Sequence, residues 1–196
     1  FCKNEYIFRA DGDDFNNKRR FEKQLFFFSK GYDLIGSNID EFDEYNNFLF
    51  QRKVPLNSYQ IKKILPFRNP FNHMTIAFKK SVVLEVGGYP KLFMKEDYGL
   101  WIRFISGGKN FINLNESLVN ATTGKAMIER RGGYKYILSE FYLQRFLLEH
   151  KLTNIFQAFL IFCFRSFIFM MPTFLRILFY KYFLRNKKFY LIYLVI

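Results

Sequence analysis

The sequence predicts an α/β domain followed by a helical, basic tail, and three observations carry that reading. First, Tyr6 to Ala10 reads as a short buried strand, Lys18 to Lys30 as a helix and Asp33 to Ser37 as a second strand. That order builds a sheet with parallel neighbours. Second, half of the 196 residues are hydrophobic, enough for one domain with a real core and too many for a disordered chain. Third, all seven Asp lie at or before Asp97, whereas the segment from Lys125 onward holds twelve Lys and Arg against three Glu, +9 of the total +13. A nearly neutral body, 1–124, thus gives way to a basic tail, 125–196.

The elements follow in order. The first helix carries Phe21, Leu25 and Phe28 at helical spacing and stops at Gly31. Asp40 to Tyr45 reads as an acidic turn and Phe48 to Phe50 as an edge strand. Ser58 to Leu65 reads as a short helix capped by Asn57 or Ser58. Met74 to Phe78 is the next strand, and Lys80 to Val86 a helix ended by Gly87-Gly88. Asp97 to Ser106 is a further helix stopped by Gly107-Gly108. Phe111 to Leu114 and Ser117 to Val119 read as two short strands.

In the tail, Tyr134 to His150 is predicted helical, with Ile137, Phe141 and Leu148 on one face. Ile155 to Met171 is almost wholly apolar, but it is shorter than the roughly 20 residues of a spanning helix. Gln157 and Arg165 interrupt it, and Pro172 breaks or kinks the helix beyond it. Arg165, Arg176 and Lys187 recur on one face, which suits a basic amphipathic element lying in a membrane interface. A membrane surface is therefore the expected partner of the tail, ahead of the two other readings, packing against missing residues and a true span. Nucleic acid is not, because the tail is too apolar and its aromatics are not interleaved with polar groups. The 28 Phe follow a general bias toward Phe, Tyr, Lys, Asn and Ile and carry no functional signal.

Cys2 and Cys163 stand far apart in unlike contexts, with neither a disulfide framework nor a metal-ligand spacing, so a reducing cytosol is expected. The chain opens on Phe1-Cys2-Lys3-Asn4 without a start Met and closes in the apolar run Leu191 to Ile196. It is read as a fragment cut at both ends and lacking its amino-terminal part.

Two acidic groups carry the chemistry. Asp11, Asp13 and Asp14 share one short turn and repel one another unless a cation or backbone N–H groups offset them. One reading is a solvated turn and helix cap before Lys18. The other is a divalent metal site in the crevice where open α/β sheets bind ligands. Magnesium or manganese sites commonly use one or two carboxylates and leave the rest to water and phosphate oxygens. A calcium-binding EF-hand loop does not fit, since Phe15 and Asn16 stand where an oxygen ligand and the turn glycine are needed. A phosphatase-type nucleophilic Asp does not fit either, because Asp14-Phe15 replaces the turn that should come after the second Asp. The second group, Glu96-Asp97, opens a helix carrying Leu100, Trp101, Phe104 and Ile105; taken alone, acids in a first turn simply favour the helix dipole.

Arg9-Ala10-Asp11-Gly12-Asp13-Asp14 followed by Arg20-Phe21-Glu22-Lys23-Gln24-Leu25 resembles the core signature of family 2 glycosyltransferases. The resemblance continues through Asn69-Pro70-Phe71-Asn72-His73-Met74-Thr75, Gly87-Gly88-Tyr89 and Glu96-Asp97-Tyr98-Gly99-Leu100-Trp101, covering roughly residues 5 to 120. Order and spacing are similar to bacterial members that build lipopolysaccharide and exopolysaccharide. The resemblance implies a GT-A fold, its first, base-binding strand preceding this chain, and an Asp-x-Asp motif binding Mn2+ or Mg2+. Asp13 would be the main metal ligand, Asp11 would face the donor ribose and metal-bound water, and Asp14 would orient the loop. Asp97 becomes the catalytic base, with Glu96 beside it on the acceptor side.

The implied activity is inverting transfer of a sugar from a nucleotide-diphosphate sugar, expected to be a UDP-sugar. The acceptor would be a glycan or a polyprenyl-diphosphate-linked saccharide at the cytoplasmic face of the cell membrane. The alternative is an inactive fragment or non-catalytic binding module of the same fold. Among weaker candidates, His73 contacts substrate or is structural, Trp101 stacks on a sugar or packs in the core, and Gly88 permits a tight turn and close approach of substrate. Arg103 pairs with phosphate or with neighbours of its own helix.

Overall fold

The parallel pairing expected of a strand–helix–strand order is present, but not between the strands that suggested it. The computed structural model describes residues 2–122 and 132–179. β1 (Tyr6–Phe8) leads through the acidic loop to β2 (Phe15–Asn16), α1 (Arg20–Ser29) and β3 (Leu34–Phe42). β4 (Phe48–Arg52), α2 (Ser58–Ile64), a 3-10 turn (His73–Thr75), β5 (Ala77–Lys79) and α3 (Lys80–Glu85) follow. α4 (Glu96–Ser106) and β6 (Phe111–Thr122) come next. The strands form one sheet in the order β1-β5-β3-β6-β2, with β4 paired to β3 outside this path. β3 and β6 are parallel, whereas β5 is antiparallel to both β1 and β3. β1 and β3 thus point the same way with β5 between them, and the sheet is mixed.

This topology gathers the motifs. β1, β3 and β6 run toward the side on which β5 begins, and β3 and β6 continue past Ala77, which lies opposite both Phe8 and Ile35. The acidic loop leaves β1 on that side and returns through β2, with Phe15 opposite Asn120 at the end of β6. The His73–Thr75 turn enters β5 on the same side, where Ala77 lies opposite Phe8. Beneath it, Ile35, Ile39, Ile76, Leu100, Trp101, Phe104 and Leu118 are buried.

Four local expectations are corrected. The inward face of α1 is Arg20, Gln24 and Phe28, while Phe21 and Leu25 are each 43% exposed. Gln24 Nε2 donates to the Ile35 carbonyl at 3.0 Å and the Thr75 carbonyl at 2.7 Å. The hydrogen-bond demand of buried carbonyls therefore overrides the apolar stripe. β3 runs on through Asp40 and Glu41, and the turn is displaced to Asp43–Asn47. There the Asp43 carboxylate accepts from Tyr45 N at 2.9 Å and Asn47 N at 2.8 Å. Residues 111–122 form one strand, with a register irregularity opposite Ser37–Ile39 in place of the expected break. The α2 cap is Asn57, which accepts from Gln60 N at 3.0 Å.

The fourth correction concerns the tail. The chain divides into two compact units, Phe1–Pro90 with Asp97–Thr123 and Lys91–Glu96 with Gly124–Ile196. In the second, α5 (Tyr134–Glu149) packs on α6 (Ile155–Met170), and α7 (Thr173–Phe179) comes after Pro172. Ser139, Glu140, Leu143, Gln144 and Leu147 form the inward face of α5, and Phe141 is exposed. Arg165 pairs with buried Glu140 at 3.1 Å, and Arg176 is buried, so these two do not form an outward basic strip. Lys187 and the expected boundary at residue 124 lie outside the described residues. Among the described residues, no helix is long and apolar enough to cross a membrane.

Candidate functional site

The acidic loop is held at both ends by one cation. Fully buried Arg20 donates through Nη2 to the Arg9 carbonyl at 2.7 Å, through Nη1 to Asn16 Oδ1, and through Nε to Gln24 Oε1 at 3.2 Å. The loop closes on itself where Asp14 N donates to the Asp11 carbonyl at 3.3 Å. Asp11 Oδ1 pairs with Arg9 Nη2 at 2.9 Å, and Asp13 is exposed. Burial, then the charges of Asp13 and Asp11, push the Asp14 carboxyl up to about 6, partly offset by a backbone hydrogen bond from Thr122 and by Arg20. Burial pushes Arg20 down to about 10 against the pull of Asp11 and Asp14. The charges of Asp13 and Asp11 thus bear on Asp14. Among the described residues, no group of three or more His, Cys, Asp or Glu is disposed to hold a metal ion by itself.

The His73 turn is pinned to β3: Ser37 N donates to Thr75 Oγ1 at 3.0 Å, and Asn72 Nδ2 to the Ser37 carbonyl at 2.9 Å. Arg9 N donates to the Ile76 carbonyl at 2.9 Å, carrying the β1–β5 pairing up to this turn. His73 Nε2 lies 3.1 Å from the Tyr89 hydroxyl. Burial holds His73 below the ordinary imidazole range; Asp97 and Asp11 pull it upward and Arg9 pushes it further down. Burial raises the Tyr89 phenol, which also feels Arg9 and Asp97. One imidazole is thus within electrostatic reach of both the acidic loop and the start of α4.

Asp97 is oriented from outside its own helix. Its Oδ2 accepts from Asn69 Nδ2 at 2.8 Å, while Asn69 Oδ1 accepts from Phe71 N at 3.1 Å. Asn113 Nδ2 holds the adjoining Pro70 carbonyl at 3.0 Å. Glu96 is exposed and is grouped with the second unit. Trp101 is fully buried against Phe71 and edge-on to His73, at centroid distances of 5.3 Å and 5.8 Å. Of its two readings, burial supports packing: it forms the floor under the imidazole. Gly88 has φ +67, which favours glycine, and a Cβ there would meet no described atom within 4 Å. Arg103 Nη1 donates to the Gly87 and Gly88 carbonyls at 2.5 and 3.0 Å and so braces the Tyr89 turn.

Arg20, Tyr89 and Asn69 are the residues whose parts the sequence did not disclose. Arg20 and Gln24 share one helix face at a four-residue spacing, the only signal that could have flagged them. A cleft of about 240 Å³ between α1 and β6, lined by Glu22, Lys23, Phe26, Phe27, Leu114 and Glu116, includes none of these site residues.

No family model matches the chain. It is 34% identical over 173 residues to the amylovoran biosynthesis glycosyltransferase AmsE of Erwinia amylovora, covering 87% of this chain and 65% of that protein. It is 36% identical over 190 residues to the Escherichia coli UDP-Gal:alpha-D-GlcNAc-diphosphoundecaprenol beta-1,3-galactosyltransferase, covering 94% of this chain and 68% of that protein. The chain therefore spans about two thirds of the length of these relatives. The crystal structure of S. aureus TarS 1-349 shares the fold at a TM-score of 0.56 and 14% identity, covering 95% of this chain and 52% of that one. With a relative 36% identical and covered over 68% of its length, the chain belongs to the bacterial glycosyltransferases.

Proposed function

We propose that the complete protein is an inverting, metal-dependent transferase of the GT-A type, family 2. It moves a sugar from a nucleotide-diphosphate sugar to a lipid-linked or polysaccharide acceptor. The observation that carries the reading is the convergence on His73: Asp11 and Asp97, far apart in sequence, both act on this one imidazole. Two carboxylates that both act on one imidazole suit a displacement with a leaving diphosphate at one end and an attacking hydroxyl at the other.

The residues fit a divalent cation. Asp13 is exposed beside an Asp14 carboxyl raised by burial and then by the charges of Asp13 and Asp11, so a cation there would relieve the repulsive part. One or two carboxylates suffice when phosphate oxygens complete the shell. Asp13 and Asp11 would hold it, and Mn2+ or Mg2+ would supply positive charge against the departing diphosphate.

At the other end, Asp97 accepts the proton of the acceptor hydroxyl as that oxygen bonds to the anomeric carbon. The anomeric C–O bond breaks with its electron pair leaving on the diphosphate, and the configuration inverts. Asn69 keeps Oδ2 of Asp97 occupied at 2.8 Å, leaving Oδ1 for the proton. His73, favoured in its neutral form, and Tyr89 would hydrogen-bond the sugars in the pocket. Glu96 lines the acceptor side, and Gly88 allows the turn that carries Tyr89.

The E. coli relative's name describes UDP-galactose and a GlcNAc-diphosphoundecaprenol acceptor; a UDP-sugar and a polyprenyl-diphosphate acceptor at the inner face of the cell membrane are the first pair to assay. In the full-length protein, Asp97→Asn is expected to lower kcat by about 10²-fold or more with UDP binding retained. Asp13→Ala is expected to abolish metal-dependent UDP binding measured by calorimetry. Unchanged rates in both variants overturn the assignment.

A further inference from the structure

In the second unit a polar cluster lies inside the helix pair beside buried Leu143, Leu147, Ala158 and Ile161. Exposed charges such as Arg145 and Glu149 stay on α5, and one outward face is apolar. On α5, Ser139, Glu140 and Gln144 are buried, and Gln144 Nε2 donates to Glu140 Oε1 at 2.8 Å. The one charged side chain of α6, Arg165, completes this interior cluster by donating to Glu140 at 3.1 Å. The outward face of α6 is the reverse. Phe156, the adjacent Phe159 and Leu160, Phe164, Phe167 and Met170 follow at helical spacing, all more than half exposed, with no charge among them. Past Pro172, Phe174 and Leu178 add to the exposed apolar surface. A helix pair made for water places its apolar stripe inside and its charges outside.

We infer that this outward face of α6 is a lipid-binding surface that seats the second unit in the interface of an anionic bilayer. Three observations select the occupant. An ion pair whose carboxylate is fully buried and whose guanidinium is largely covered, set beneath an aromatic exterior, suits an apolar surrounding medium rather than water. The 16 residues of α6 reach about 24 Å, short of the roughly 30 Å hydrocarbon core, so the helix lies in the plane rather than crossing it. The +9 carried from Lys125 onward matches anionic headgroups, whereas a second copy of a chain bearing +13 meets it with like charge. The aromatic row, and not a strip of Arg165 and Arg176, is the contact. The inference rests on the transferase reading only in assigning the inner leaflet.

The test is flotation of the full-length protein with vesicles of phosphatidylethanolamine and phosphatidylglycerol at 3:1, against vesicles of phosphatidylcholine alone. Binding to the anionic vesicles is expected to exceed binding to the neutral ones and to fall with added salt. The Phe159→Glu/Phe167→Glu variant should lose at least tenfold in apparent affinity, with Tyr59→Glu in the first unit unaffected. A Phe159→Trp variant gives a readout that leaves the apolar face intact: its added indole should be quenched by brominated lipid while buried Trp101 is not. Undiminished flotation of the double Glu variant, or no quenching at position 159, overturns the inference. So does a wild-type dimer that this variant turns into a monomer without change in vesicle binding. UDP binding without vesicles reports separately on the transferase reading and is expected to be the same in the wild type and the double variant.

Discussion

Arg20 Nη2 donates to the carbonyl oxygen of Arg9 at 2.7 Å, and through this bond a helix cation governs a loop eleven positions earlier. The same guanidinium holds Asn16 at the far end of the loop and Gln24 on its own helix. Arg20→Met leaves these acceptors unpaired in a buried place and is expected to cost about 3 kcal/mol, read from urea unfolding. Arg20→Lys keeps the charge without the fork and should recover only part of that loss.

Asn69 reaches Asp97 from outside α4 and fixes one of its two carboxylate oxygens. Asn69→Ala removes the 2.8 Å bond to Oδ2 and lets the carboxylate rotate. If Asp97 is the base of the proposed mechanism, kcat in steady-state assays is expected to fall about tenfold, with KM for the donor nearly unchanged, since small misplacements of a reacting group are costly. A rise in donor KM with kcat intact would place Asn69 in donor binding instead.

Asp14 and His73 give stability opposite pH dependences. With its carboxyl raised from 3.8 to about 6, folded Asp14 holds a proton that the unfolded chain has released. Its contribution therefore declines as pH rises from about 4 to about 6. Asp14→Asn should stabilise the protein at pH 7.5 by roughly 1 kcal/mol, allowing for solvent screening, and leave it unchanged at pH 4. Chemical unfolding in EDTA checks both, and Mn2+ should stabilise the wild type more than the variant. His73 is lowered from 6.5, so its contribution is complete above that pH and is lost as pH falls below it. His73→Gln should remove that acid-side loss.

Glu140 is fully buried and depends on Arg165. Arg165→Met strands the carboxylate and should destabilise the protein by about 3 kcal/mol. The double change Glu140→Gln/Arg165→Met should restore most of it, because no unpaired buried charge remains. Thermal unfolding of the full-length protein distinguishes these outcomes; equal losses in the single and double variants would mean that the pair contributes through packing alone.

Much of the fold was legible from local patterns, because local chemistry decides those features. Asn57 caps α2 as a short acceptor just before a helical run must, Gly87-Gly88 ends α3 at positive φ, and Pro172 separates α6 from α7. The acidic turn and the pair beginning at Glu96 were equally visible, as runs of like charge that need an explanation.

Other features depend on partners distant in sequence, which a local pattern does not contain. That β5 separates β1 from β3 follows from pairing across some seventy residues, with Tyr6 opposite Lys79. Arg20 and Gln24 displaced Phe21 and Leu25 from the inward face because carbonyls of Arg9, Ile35 and Thr75 required donors there. The tail showed the same limit: the spacing of Arg165 and Arg176 suggested an outward basic strip until buried Glu140 claimed the first of them. The sequence by itself determined which residues carry charge and where the chain must turn. Only the tertiary structure decided which of those charges face one another, because burial and hydrogen-bond satisfaction are settled between segments.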